Sequence, residues 1–154
     1  ITRDAPLHRM KPEHWTAVVN TNLGSLFNMC RNVIEGMRER KFGRIVNIAS
    51  LSAVLPPLGQ TNYAAAKAGV VALSQTLAKE VARSGITVNS VLPGFIDTEA
   101  LGDMDEEARK SAKRGIPMRR FGKPEEVAAA VFFLASDDAS YVTGAALKID
   151  GGIF

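Results

Sequence analysis

Tyr63 and Lys67 stand four residues apart in Tyr63-Ala64-Ala65-Ala66-Lys67. On a helix this spacing puts a phenol and an ammonium on one face, one turn apart. A cation beside a phenol favours the phenolate and draws the group toward general acid–base use. Ser50 lies thirteen residues before Tyr63 and directly after the run Arg44-Ile45-Val46-Asn47-Ile48-Ala49. That run reads as a strand, so the hydroxyl falls at the strand's C-terminal end, where ligand crevices of open α/β sheets form. A hydroxyl, a phenol and a cation can therefore converge on one carbonyl-sized site. Each has a plainer reading when taken singly: Ser50 as a strand-end cap, Lys67 as a solvated charge, Asn22 as a helix-packing amide and Thr98 as a helix N-cap.

The elements that must position these groups follow from periodicity. Trp15, Val19, Asn22, Leu26, Cys30, Val33 and Met37 recur at steps of three and four, which predicts one long helix from Pro12 to about Arg40, ended by Gly43. Asn22 is the polar member of that apolar stripe. The strand at 44–49 is apolar at most positions and is expected to be covered on both faces. Pro56, Pro57 and Gly59 mark a loop. A second long helix is expected from about Tyr63 to Ser84, with Ala66, Val70, Leu73, Leu77 and Val81 on its core stripe and Gly85 as its stop. Ile86 to Leu92 reads as a strand broken by Pro93-Gly94, and a short helix is expected from Met104 to Lys113. Pro124 opens a helix to about Ala135, and Ala146 to Ile149 forms the last strand. Strands alternating with helices imply an α/β fold with a parallel sheet.

These residues in this order resemble the short-chain dehydrogenase/reductase family. The resemblance is carried by Ser50, Tyr63 and Lys67 at the family's spacing and by Thr21-Asn22-Leu23 at its helix asparagine. Pro93-Gly94-Phe95-Ile96-Asp97-Thr98, Arg120-Phe121-Gly122-Lys123-Pro124-Glu125-Glu126 and Tyr141-Val142-Thr143-Gly144 match further landmarks. The match runs along essentially the whole chain and is similar to the C-terminal part of a Rossmann-like, doubly wound parallel sheet. The glycine-rich turn that binds the dinucleotide pyrophosphate has no counterpart here, and the chain opens on Ile1 rather than Met, so an upstream half is expected. The chain reads as one partial domain over residues 1–154.

The resemblance implies an NAD- or NADP-dependent oxidoreductase, with NADP favoured, that transfers hydride to a carbonyl. It is nearest to reductases of 3-oxoacyl thioesters. It implies Asn22, Ser50, Tyr63 and Lys67 as catalytic residues. Tyr63, Lys67, Pro93, Gly94, Ile96 and Thr98 are implied as cofactor contacts, and the two long helices as a homo-oligomer surface. The segment from Glu99 to Gly122 is expected to form a substrate lid. Its Met104, Ile116, Met118 and Phe121 suit an acyl chain, and its Lys110, Lys113 and Arg114 suit a phosphate. Two other readings were weighed: a cofactor-free esterase using Ser50 near Tyr63 and Lys67, and an inactive oligomeric module.

Composition sets outer bounds. The chain has 154 residues, 46% apolar and 23% charged, with a formal charge of +3, as expected of a soluble domain with a real core. Its basic runs lack interleaved aromatics, so nucleic-acid binding is not expected. Cys30 is the only cysteine, which excludes an internal disulfide and suits a cytoplasmic setting. His8 and His14 form no metal-ligand spacing with it, so no metal is expected. No apolar run reaches membrane-spanning length.

Overall fold

A computed structural model describes residues 1–102 and 104–154. Its helices are α1 (Pro12–Val19), α2 (Ser25–Arg40), α3 (Thr61–Val81), α4 (Glu106–Gly115) and α5 (Pro124–Ala135). Its strands are β1 (Gly43–Ile48), β2 (Ile86–Pro93) and β3 (Ala146–Ile149). The strands pair in parallel in the order β1-β2-β3, with Gly43 opposite Ile86 and Ser90 opposite Ala146. The expected α/β architecture and parallel sheet are borne out.

Alternation along the strands sends side chains to opposite faces, and each face has its own core. On one face Ile86 and Val88 pack with Ala78 and Val81 of α3 and with Ile34 and Met37 of α2. Further along that face Leu92 and Ala49 meet Val70. On the other face Val91 packs with Leu134 of α5 and with Ala139. β2 is thus buried from Ile86 to Leu92.

Of its buried polar side chains, Asn89 and Ser90 are bonded to neighbouring chain, while Thr87 Oγ1 has no partner among the described residues. Asn89 Nδ2 donates to the Val142 carbonyl at 2.8 Å, and its Oδ1 accepts from Ala145 N at 3.0 Å. Thr143 Oγ1 accepts from Val88 N at 3.1 Å. The Tyr141-to-Gly144 segment is therefore a strap that satisfies β2 just ahead of β3.

Four expectations are corrected. The first long helix is not uniform, because Asn20–Gly24 forms a π-type turn between α1 and α2. The buried stripe there is Val18, Asn22 and Cys30, with Leu26 half-buried, while Trp15 and Val33 are 40% and 39% exposed. A step of four overshoots an ideal helix turn by about 40°, and the extra residue of the π-type turn absorbs part of that drift. The helix also stops at Lys41, which takes a left-handed conformation (φ 53°), and Gly43 already belongs to β1.

The third correction concerns β1, which is only partly covered: Ile48 is 46% exposed, and β2 is the only strand bonded to β1 among the described residues. An edge strand keeps unpaired backbone groups on its far side, and continuous apolarity alone does not reveal that. The fourth is α4, which begins at Glu106. Asp105 accepts from Ala108 N at 2.7 Å and caps the helix there.

Candidate functional site

Ser50 sits in extended backbone (φ −166°, ψ 155°) two residues beyond β1. Its Oγ accepts from Ser52 N at 3.1 Å and caps the short turn Leu51–Ala53. The hydroxyl proton remains available to donate elsewhere. Ser50 lines a cavity of about 490 Å³ whose walls include Leu55, Gln60, Pro93, Gly94, Phe95 and Ile153. Three predicted site residues, Ser50, Pro93 and Gly94, therefore share one mostly apolar hollow beyond the C-terminal ends of β1 and β2. A volume of this size lies within the range of small-molecule sites.

Tyr63 and Lys67 lie one turn apart on the first half of α3, as expected, with Lys67 Nζ 5.7 Å from the Tyr63 ring centroid. Lys67 Nζ donates to the Ile48 carbonyl at 2.8 Å, which ties α3 to the end of β1 two residues before Ser50. Burial without a carboxylate partner lowers the Lys67 pKa from its ordinary value. Two ammonium protons stay uncommitted among the described residues, and the Tyr63 hydroxyl makes no hydrogen bond among them. Neither side chain bonds Ser50 Oγ.

A second tie keeps α3 in register. Asn47 Nδ2 donates to Ser74 Oγ at 2.9 Å, and Ser74 Oγ donates to the Val70 carbonyl at 2.7 Å, all within the core.

Asn22 is buried in the π-type turn, and its side chain closes on the first residue of the chain. Nδ2 donates to the Ile1 carbonyl at 2.7 Å, while Oδ1 accepts from the Ile1 amino group at 2.8 Å. The next residue, Leu23, lies against Gly69, where an added Cβ would come within 2.7 Å of its methyl. That close approach seats the turn on α3 two residues past Lys67. Ile96 pairs with Gly122 in a parallel bridge, and Thr98 precedes a short turn without capping it through its side chain.

Several contributors escaped the sequence reading. Gln60 and Ile153 line the Ser50 cavity, and Gln60 Nε2 also donates to Asp4 at 2.8 Å. Asn62 is fully buried and donates to the Arg3 carbonyl at 3.0 Å, while its Oδ1 accepts from Tyr63 N. It fixes the start of α3 from a position one residue ahead of the predicted helix. Nothing periodic marks Ile153, because the tail beyond Gly151-Gly152 joins the cavity only through the fold.

Several of the residues expected to meet an acyl chain or a phosphate are engaged within the fold. Ile116 and Phe121 are buried, and Met118 lines a separate hollow of about 430 Å³. Lys110 and Arg114 pair within α4 with Glu106 and Glu107, and Lys113 lies over the Phe121 ring.

Arg120 grips Glu126 at 2.6 and 2.7 Å, and Lys123 N adds a bond at 2.7 Å. The guanidinium and that amide hold the Glu126 carboxyl down at about 2. A depressed carboxyl contributes stability that is complete above its unfolded value of ~4.3 and is lost as pH falls through about 2. Glu126→Gln is expected to be less stable than the parent at neutral pH. Urea midpoints taken at descending pH should show that gap closing on the acid side, and a gap independent of pH would contradict the assignment.

Among the described residues no group of three His, Cys, Asp or Glu side chains is arranged to hold a metal, and no helix is long and apolar enough to cross a membrane.

A family model described as enoyl-(acyl carrier protein) reductase matches residues 1–153. The acetoacetyl-CoA reductase of Allochromatium vinosum is 48% identical over 154 residues, covering 100% of this chain and 63% of the relative. The 3-oxoacyl-(acyl-carrier-protein) reductase of Thermotoga maritima is 52% identical over 153 residues, covering 99% of this chain and 62% of the relative. That of Pseudomonas aeruginosa is 49% identical over 154 residues, covering 100% and 62%. The chain thus spans somewhat less than two thirds of the length of these relatives.

Proposed function

The chain belongs to the short-chain dehydrogenase/reductase family, and on that premise we propose that it is the carbonyl-binding and proton-transfer part of a nicotinamide-dependent reductase of 3-oxoacyl thioesters. The observation that carries the reading is the tie between Lys67 Nζ and the Ile48 carbonyl. It brings the Tyr63–Lys67 face of α3 to the strand end from which Ser50 enters its cavity. The relatives are named for acetoacetyl-CoA and 3-oxoacyl-(acyl-carrier-protein) reduction, which supports the substrate class.

The donor set suits a nicotinamide nucleoside. Lys67 has two protons to offer ribose hydroxyls. Ile96, through its backbone, and Thr98, through its hydroxyl, suit a carboxamide and a phosphate, beside Pro93 and Gly94. When bound, the reduced nicotinamide supplies the hydride. Ser50 donates its free hydroxyl proton to the substrate carbonyl oxygen and fixes its direction. Tyr63 delivers a proton to that oxygen as negative charge develops there. Lys67 favours the phenolate that remains, and Asn22 in its π-type turn orders the route by which the proton is replaced. The apolar walls given by Leu55, Phe95 and Ile153 suit an acyl chain.

NADP as the preferred cofactor, a cytoplasmic setting and a homo-oligomer through α2 and α3 belong to the same reading. For the oligomer, Phe27 and Met29 are 56% and 68% exposed on α2, and a groove between α2 and α3 is lined by Phe27, Ile34, Leu73 and Leu77. Esterase chemistry needs a base hydrogen-bonded to Ser50, and no observation favours it. In the protein that carries this chain, reduced nicotinamide is expected to be consumed only when a 3-oxoacyl thioester is present, and faster with NADPH than with NADH. Thioester-independent consumption, or none with either nucleotide, would remove the reading.

A further inference from the structure

The segment that follows β2 is held from two sides. On one, Gly122 N donates to the Phe95 carbonyl at 2.9 Å and Asp97 N donates to the Gly122 carbonyl at 2.8 Å. A side chain at Gly122 would come within 2.8 Å of the Ile96 Cδ1 methyl, which would have to swing aside. On the other side stands Arg109 of α4. Its guanidinium donates to Asp97 Oδ1 at 2.7 Å and to the Leu101 carbonyl at 3.1 Å, and lies 5.0 Å from the Phe121 ring centroid. Phe121 is 5% exposed and packs against Phe95 at 6.0 Å. One side chain therefore joins four separate stretches: α4, the post-strand segment, the turn after it and the return toward α5.

A planar fork can serve a carboxylate and a carbonyl together while stacking flat on a ring, which an ammonium cannot do. The Arg109 side chain is 23% exposed, so these bonds are only partly screened by water.

We propose that Arg109 is a positioning residue, which acts through Asp97 to hold Ile96 and Thr98 where a nicotinamide nucleotide meets them. The inference rests on the reading above for the cofactor but not for the clamp itself. Without Arg109, Asp97 keeps only its backbone bond to Gly122, and the stretch from Asp97 to Leu101 loses its link to α4. The free energy of opening this stretch then falls, while Ser50, Tyr63 and Lys67, whose hydrogen bonds involve no residue of α4, are expected to be undisturbed.

Amide hydrogen exchange and steady-state kinetics of the intact protein test this together, with NADPH as the probe. Arg109→Gln is expected to speed exchange over residues 97–102 roughly tenfold and to raise the NADPH KM about fivefold, with kcat little changed. Arg109→Lys retains a charge for Asp97 but loses the fork and should fall between. Glu107→Gln, which breaks a different ion pair of the same helix, should leave residues 97–102 at the parent rate. Unchanged exchange in Arg109→Gln would overturn the clamp. Faster exchange with kcat and KM failing in parallel would overturn the positioning role in favour of general loosening. A parent protein without NADPH turnover would sink the reductase reading and the cofactor half of this proposal, while the exchange result would still decide the clamp.

Discussion

Tyr63→Phe is expected to lower kcat for 3-oxoacyl thioester reduction by about a thousandfold, within the range general acid–base groups supply. The substitution removes one oxygen and keeps the ring. Tyr63 is held into α3 through its backbone N–H on Asn62 Oδ1, not through its hydroxyl, so the fold should survive. The hydroxyl makes no hydrogen bond among the described residues, so no structural partner is orphaned. An interaction made only as charge develops on the carbonyl oxygen lowers kcat and kcat/KM alike and leaves substrate KM nearly constant. Steady-state rates of parent and variant check this. A variant within tenfold of the parent would remove Tyr63 as the proton donor.

Lys67→Met is expected to have opposite effects on activity and stability. Lys67 is an ammonium held partly out of water, bonded to the Ile48 carbonyl, and burial lowers its pKa. In the unfolded chain the group titrates near ~10.4. Between the folded and unfolded values the unfolded chain carries more protons, so stability rises with pH across that window. Below it the desolvation cost is present in full. Methionine has a similar reach and no charge, and the abandoned carbonyl belongs to Ile48, which is half exposed and can take a water. At neutral pH the variant should be more stable by roughly 1 kcal/mol, as substitutions that relieve functional sites often are. That corresponds to a Tm gain of about 2–4 °C for a domain of this size, and the gain should shrink as pH climbs toward that of the free ammonium. Turnover should fall at least a hundredfold, because the phenolate loses its cation and the cofactor a donor. A lower Tm together with retained turnover would contradict the role given to Lys67.

Much of the fold was legible because its signals are local. The bounds of α5 and β3 agree with their reading: Pro124 begins the helix, and Gly151-Gly152 follows the last strand. The second long helix ends at Val81, and Gly85 closes the short turn Ala82–Ser84 that follows it, in a left-handed conformation (φ 70°) with the Lys41 carbonyl 2.5 Å from where a side chain would begin. Two features were invisible. The π-type turn at Asn20–Gly24 leaves apolar spacing nearly intact, because a helix that gains a residue still places Val18, Asn22 and Leu26 in line. The other is the partial cover of β1, because a run of apolar residues carries no sign that Ile48 is 46% exposed.

The site divides similarly. The Ser50, Tyr63 and Lys67 spacing could be read because a strand end and a helix turn fix it. The uses of Gln60, Ile153 and Arg109 could not, because Gln60 and Ile153 reach the site through a loop and a tail, and the partners of Arg109 lie outside its own helix, at Asp97, Leu101 and Phe121. Ile116 and Phe121 show the converse error. Their place between Glu99 and Gly122 suits substrate lining, whereas both are buried, the commoner fate of apolar residues.

A carbonyl bound beside Ser50 and Tyr63 is expected to receive hydride from a nicotinamide. Mass spectrometry of the product formed from a 3-oxoacyl thioester and reduced nicotinamide deuterated at its transferable position addresses this directly. One deuterium on the carbon that bears the new hydroxyl, with the thioester intact, is the predicted result; an unlabelled alcohol, or a free acid released without use of the nucleotide, would contradict it.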